Sequence, residues 1–230
     1  MISVLAKKYI NFFGLDVICS SRNRIGIHLG VCLFLFSSLA NSLENADVVG
    51  EGQIRYLKNR PDPGAYTYES KVTISKASLE SGLVEIQTCH KQLDPIRKVV
   101  ILFNKDRIKD IQVRSLDGIA MAEVRDNRVT LSEVQKGGSI CIDLQSRALD
   151  SLGNGMYQLN AGPLMRRLFD GYLPMSANMK FSWPNQLLAV EETKPHSQDG
   201  VRIQQSQDGL EMDLVFAGRM TAQILLKRTQ

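Results

Sequence analysis

Hydrophobic and polar residues alternate with a period of two along most of this 230-residue chain. Tyr66, Tyr68, Ser70, Val72 and Ile74 interleave with Thr67, Glu69, Lys71, Thr73 and Ser75, the pattern of a strand with one buried and one solvated face. Val84, Ile86 and Thr88 alternate with Glu85 and Gln87 in the same way. Residues 98–103, Lys-Val-Val-Ile-Leu-Phe, form an apolar run that predicts a strand covered on both faces. Shorter strands are predicted at 111–113, 129–131 and 140–144, separated by the turn-prone pairs Asp117-Gly118, Asp126-Asn127 and Gly137-Gly138. The period resumes at Met179, Phe181 and Trp183 and continues through 187–190, 201–203, 210–216 and 220–226, with Asp208-Gly209 as a tight hairpin turn. Short strands with a turn roughly every 8–12 residues predict a mainly β chain: an antiparallel β-sandwich of immunoglobulin-like size, single or in tandem.

One segment departs from the pattern. Pro163 opens the run Leu164-Met-Arg-Arg-Leu-Phe-Asp170, and Gly171 follows it. Proline at the first helical position and glycine just past the last one predict one short helix over 163–170. Leu164 and Leu168 would share its packed face, against the strand of Phe181 and Trp183. Arg166 and Arg167 would face solvent as a cationic pair suited to an acidic partner. The expected organisation is a signal peptide over 1–42, a β-sandwich domain over 43–149, a linker over 150–155 (Asp-Ser-Leu-Gly-Asn-Gly), and the helix with a second β-rich part over 156–230.

The front of the chain sets the compartment. Arg22 and Arg24 precede the apolar run 25–40, which ends in Ser37, Ser38, Leu39 and Ala40. Basic, then apolar, then small is the order of a secretory signal, with cleavage expected after Ala40 or Ser42. No later run is long enough to span a membrane, so the mature part is expected to carry no transmembrane segment. Lys7, Lys8, Arg22 and Arg24 against Asp16 hold three of the four net positive charges, so the mature chain is nearly neutral. That argues against a nucleic-acid partner. Without an Asn-x-Ser/Thr site after the signal, the expected destination is a bacterial periplasm, or the exterior.

Export changes how the cysteines read. Cys19 and Cys32 leave with the signal, and Cys89 and Cys141 remain as a pair in an oxidising compartment, where a disulfide is expected. It would close a loop of about 53 residues and contribute up to roughly 4 kcal/mol in the chain-entropy model. Alternation puts both cysteines on the polar faces of their strands. The bridge therefore lies outside the core, or a bulge re-aims one side chain.

The alternative is a metal-handling protein. Cys89, Cys141 and Asp143 would be its ligands, helped by Met156, Met165, Met175 and Met179. His90 adjoins Cys89 but points to the opposite face. A third reading is a hydrolase, for which the sequence offers little. His90 and His196 are the histidines after the signal, Ser75 and Ser78 lack a Gly-x-Ser-x-Gly elbow, and no Gly-rich phosphate loop or cofactor motif occurs. The reading that fits the chain best is an exported, non-catalytic β-sandwich module that binds a protein partner or an envelope polymer, with no cofactor.

Overall fold

The computed structural model describes residues 2–6, 53–59, 64–168 and 171–229. The expected signal and its cleavage sites at Ala40 and Ser42 lie outside the described residues, apart from 2–6. The alternating segments become strands β1 (Ile2–Ala6), β2 (Ile54–Tyr56), β3 (Thr67–Thr73), β4 (Leu83–Leu93), β5 (Lys98–Leu102), β6 (Ile108–Arg125), β7 (Arg128–Arg147) and β8 (Leu149–Gly153). They continue with β9 (Met156–Leu168), β10 (Gly171–Leu173), β11 (Met175–Ser182), β12 (Leu188–Lys194), β13 (Val201–Ser206), β14 (Gly209–Gly218) and β15 (Met220–Arg228). The chain is mainly β and sandwich-like, as the periodicity predicts.

Two sheets carry these strands. One runs β12-β15-β9, the other β5-β7-β4-β3-β11-β14-β13, and β1 lies between β9 and β5 and joins them into one hydrogen-bonded path. Neighbours are antiparallel except β1 with β9 and β3 with β11. The shared core is built from the inward residues of this path. Phe181, Phe216, Ile101, Leu131, Ile142 and Leu159 are among its largest fully buried side chains.

The expected linker is a hairpin. β8 and β9 pair, with Leu149 opposite Leu159 and Ser151 opposite Tyr157. Asn154 and Gly155 both take positive φ, 52° and 74°. Asn-Gly is the dipeptide best suited to that conformation, whose twist matches the flanking strands. The segments before and after it share a sheet, because β11 pairs with β3.

The segment expected as a helix over 163–170 is instead strand through Leu168. Residues 163–168 belong to β9, and 169–170 lie outside the described residues. Partners on both edges decide this: β15 and β1 meet Leu164, while β10 pairs with Arg166, Arg167 and Leu168. Leu164 and Met165, successive in sequence, are both buried, which a strand covered on two faces satisfies. Tertiary pairing thus overrides a local helix-start signal. The short helix that does form is α1 (Ser78–Ser81), stopped by Gly82 at φ 71°.

Candidate functional site

The sequence singles out Cys89 and Cys141. Cys89 of β4 lies directly opposite Cys141 of β7, at disulfide distance, with 2.07 Å between sulfurs and 4.1 Å between Cα atoms. Pairing is continuous from Leu83 to His90, so no bulge is needed to bring them together. Their neighbours Thr88, His90, Ile140 and Ile142 are buried, so the sulfurs occupy the outer face. An Arg114 Nη2 donor lies 3.6 Å from the Cys89 sulfur, and Arg114 Nη1 lies 3.4 Å from the Asp143 carboxylate.

This arrangement does not assemble the alternative metal site. The sulfurs face each other at bonding distance and Asp143 faces a guanidinium. Among the described residues, no three His, Cys, Asp or Glu side chains converge. Met175 and Met179 belong to the core cluster, on the side away from the sulfur pair. Met165 is buried on β9, and Met156 starts β9 opposite Lys227.

The arginines are not a solvated pair. As successive residues of a strand, Arg166 and Arg167 point to opposite faces. The Arg166 side chain is only 14% exposed. It donates through Nη2 to both Asp94 carboxylate oxygens at 2.7 and 2.6 Å, and through Nη1 to the Pro174 carbonyl at 3.3 Å. Its guanidinium also lies 5.7 Å over the Tyr66 ring. Arg167 lies 5.9 Å over Tyr172. Arg166 is therefore a structural clamp between β9 and the end of β4.

Tyr66 links that clamp to a buried histidine. The Tyr66 hydroxyl lies 2.6 Å from His90 Nδ1, and the Tyr68 ring meets the imidazole edge-on at 5.3 Å. Burial raises the pKa of both tyrosines, so their hydroxyls stay protonated, and it pushes His90 down to about 3. The Tyr66 hydroxyl and Nδ1 share this hydrogen bond, and Nε2 has no partner. A neutral imidazole sealed in this way has the wrong pKa for a general base near neutrality, and burial holds the phenol beside it protonated. Ser75 and Ser78 bond each other at 3.1 Å where α1 begins, and His196 is exposed.

Two of the concave features among the described residues bear on ligand binding. One is an apolar gap in the core of about 70 Å³, bounded by residues such as Val72, Leu144, Leu159 and Phe181. That is about half the roughly 150 Å³ of a cavity that admits benzene. Asn160 and Arg107 at its rim both bond Asp150, at 2.8 and 2.9 Å, which leaves the rim without a net charge.

The other is a groove of about 490 Å³ bordered by the two end strands of the path, β12 and β13. Asn185, Gln186, Gln205, Ser206 and Gln207 supply amides and a hydroxyl, and Leu188, Ala189 and Val190 supply apolar surface. No described residue lining it is charged. Trp183 lines it too, 4% exposed, with its backbone N–H bonded to the Asp208 carbonyl at 3.0 Å and its indole N–H buried without a partner. Sequence reasoning missed this groove. The uncharged run Gln204-Gln-Ser-Gln207 was its one local signal, and the residues that face it are some twenty positions away.

No family model and no curated protein matches this chain. Among solved structures, it is similar to Legionella pneumophila aminopeptidase A in complex with aspartic acid, with TM-score 0.34 and 11% identity over 76% of this chain and 23% of that one. The chain thus spans about a quarter of that enzyme's length. A likeness of that size carries no argument about fold or activity.

Proposed function

We propose that this chain is an exported, non-catalytic β-sandwich module that binds an uncharged envelope polymer, a glycan strand, in the groove between β12 and β13. The observation that carries the reading is the lining itself: an open groove of about 490 Å³ with amides, hydroxyls and no charge, in a chain of which 23% is charged. That volume falls within the range of roughly 300–1,000 Å³ usual for ligand sites. Carboxamides present donors and acceptors together, which suits the dense hydroxyl and acetamido groups of sugars. The basic–apolar–small leader supports export to a periplasm or the exterior, and the placement of Cys89 and Cys141 supports a disulfide formed there.

Calorimetry with uncharged N-acetylglucosamine oligomers tests the reading. We expect saturable binding that is insensitive to salt and is lost in the double variant Gln205→Ala, Gln207→Ala. The result that would overturn it is no binding, or binding that the double variant retains and that salt abolishes.

A further inference from the structure

The strand that joins the two sheets belongs to the segment expected to be cut away. β1 runs antiparallel to β5, with Val4 opposite Ile101 and Ala6 opposite Val99. It runs parallel to β9, with Ile2 opposite Leu164 and Val4 opposite Arg166. Cleavage after Ala40 or Ser42 would remove it and leave β5 and β9 facing each other two strand spacings apart, roughly 9–10 Å. Each would then present a row of backbone N–H and C=O groups with no ladder partner.

The β5 edge is not built to stand bare, whereas β9 carries Pro163, Arg166 and Arg167 along its side of the slot. Exposed edges are normally guarded by charges, prolines or bulges. The strands at the ends of the path follow that rule: β12 carries Glu191, Glu192 and Lys194 with a register shift between Val190 and Glu192, and β13 carries Arg202. β5, by contrast, reads Lys-Val-Val-Ile-Leu, with no charge after its first residue and neither proline nor bulge. Val99, Ile101 and Leu164 beside the slot are 1%, 0% and 2% exposed, which marks core rather than rim.

We infer that in the processed protein this slot takes up an extended segment of a partner protein, five or so residues long with apolar side chains at alternate positions, in the way β1 occupies it here. The inference rests on the export reading and not on the groove at Trp183, which lies between other strands. Recognition would be strand addition: main-chain hydrogen bonds on both sides hold the segment, and alternate side chains read Val99, Ile101 and Leu164.

The test uses protein processed in and purified from its exporting host, its N-terminus fixed by mass spectrometry. The probe is a synthetic peptide of residues 1–8. We expect fast hydrogen exchange at amides of Val99–Leu102 and Leu164–Leu168 that face the slot, slowed when the peptide binds. A Val4→Pro peptide should fail, because proline removes a ladder donor. Slow exchange without peptide would mean that the chain fills its own slot, and a dimer would mean that a second copy does. Either result overturns the inference, as does a processed protein that refuses the peptide. A mass beginning at Met1 overturns the export reading together with it.

Discussion

Mild acid should weaken this protein through one imidazole. His90 is 0% exposed, its Nδ1 is taken by the Tyr66 hydroxyl at 2.6 Å, and its Nε2 meets no acceptor. A proton added here would bring a charge into the core with no carboxylate to receive it, and the Arg166 guanidinium over Tyr66 has the same sign. Burial therefore lowers the His90 pKa from 6.5 to about 3. The unfolded chain takes up the proton near pH 6.5 while the folded chain refuses it. Stability from this group is complete above about pH 6.5 and drains away as pH falls toward about 3. At about 1.4 kcal/mol per pH unit, the loss is roughly 2 kcal/mol by about pH 5 and approaches roughly 5 kcal/mol near pH 3 as an upper bound. The assay is urea unfolding between about pH 5 and 8 for the parent and for His90→Gln, which keeps an acceptor for Tyr66 and cannot titrate. Subtracting the two curves cancels the carboxylates. The parent should lose roughly 2 kcal/mol more than the variant on going to about pH 5. Parallel curves, or a parent that weakens as pH rises, would refute the reasoning.

Three further outcomes follow from particular contacts. Cys89→Ser with Cys141→Ser opens a loop spanning a sequence separation of 52 and should cost up to about 4 kcal/mol in urea midpoints measured without reductant. Arg166→Ala strips the Asp94 carboxylate and the Pro174 carbonyl of a charged donor, so it should cost about 1–3 kcal/mol by thermal melts, more than a solvated arginine would. Gly162→Ala should cost more than about 1 kcal/mol, because φ is +95° and the new Cβ would lie 2.8 Å from the Met220 carbonyl oxygen; an unchanged melting temperature would show that β9 can shift there.

Much of the fold is legible in local pattern, and what is not legible depends on pairing across distance. The alternation at Tyr66–Ile74 gives β3 because burial on one face leaves a two-residue period that nothing else imitates. Asn154-Gly155 is equally local, but in company with Gly153 and Ser151 it reads as a loose linker; only the partnership of Leu149 with Leu159 makes it a hairpin. At Pro163 the local signal is sound and still loses, because β15, β1 and β10 offer edges that a helix would leave unpaired. The candidate groove is the extreme case. Its residues come from the start of β12, the end of β13 and the turn after it, the loop at Trp183 and Thr229 just past β15, and their adjacency exists only once the order of strands is known.

The sulfur pair and the buried histidine are two readings of one register. Successive side chains of β4 alternate in face, so the parity that sets Cys89 outside sets His90 inside, opposite Ile140. A slip of one residue between β4 and β7 would exchange them, exposing the imidazole and sending sulfur into the core. A covalent link at Cys89–Cys141 forbids that slip, so it fixes the face of His90 as well as shortening the unfolded chain. The two effects should therefore couple rather than add. In the serine double variant β4 can shift or open locally, which lets His90 reach water and raises its folded pKa toward 6.5. The acid sensitivity that His90→Gln removes should then be smaller in the variant than in the oxidised parent. An acid term of equal size in both backgrounds would mean that the surrounding apolar contacts alone hold the register.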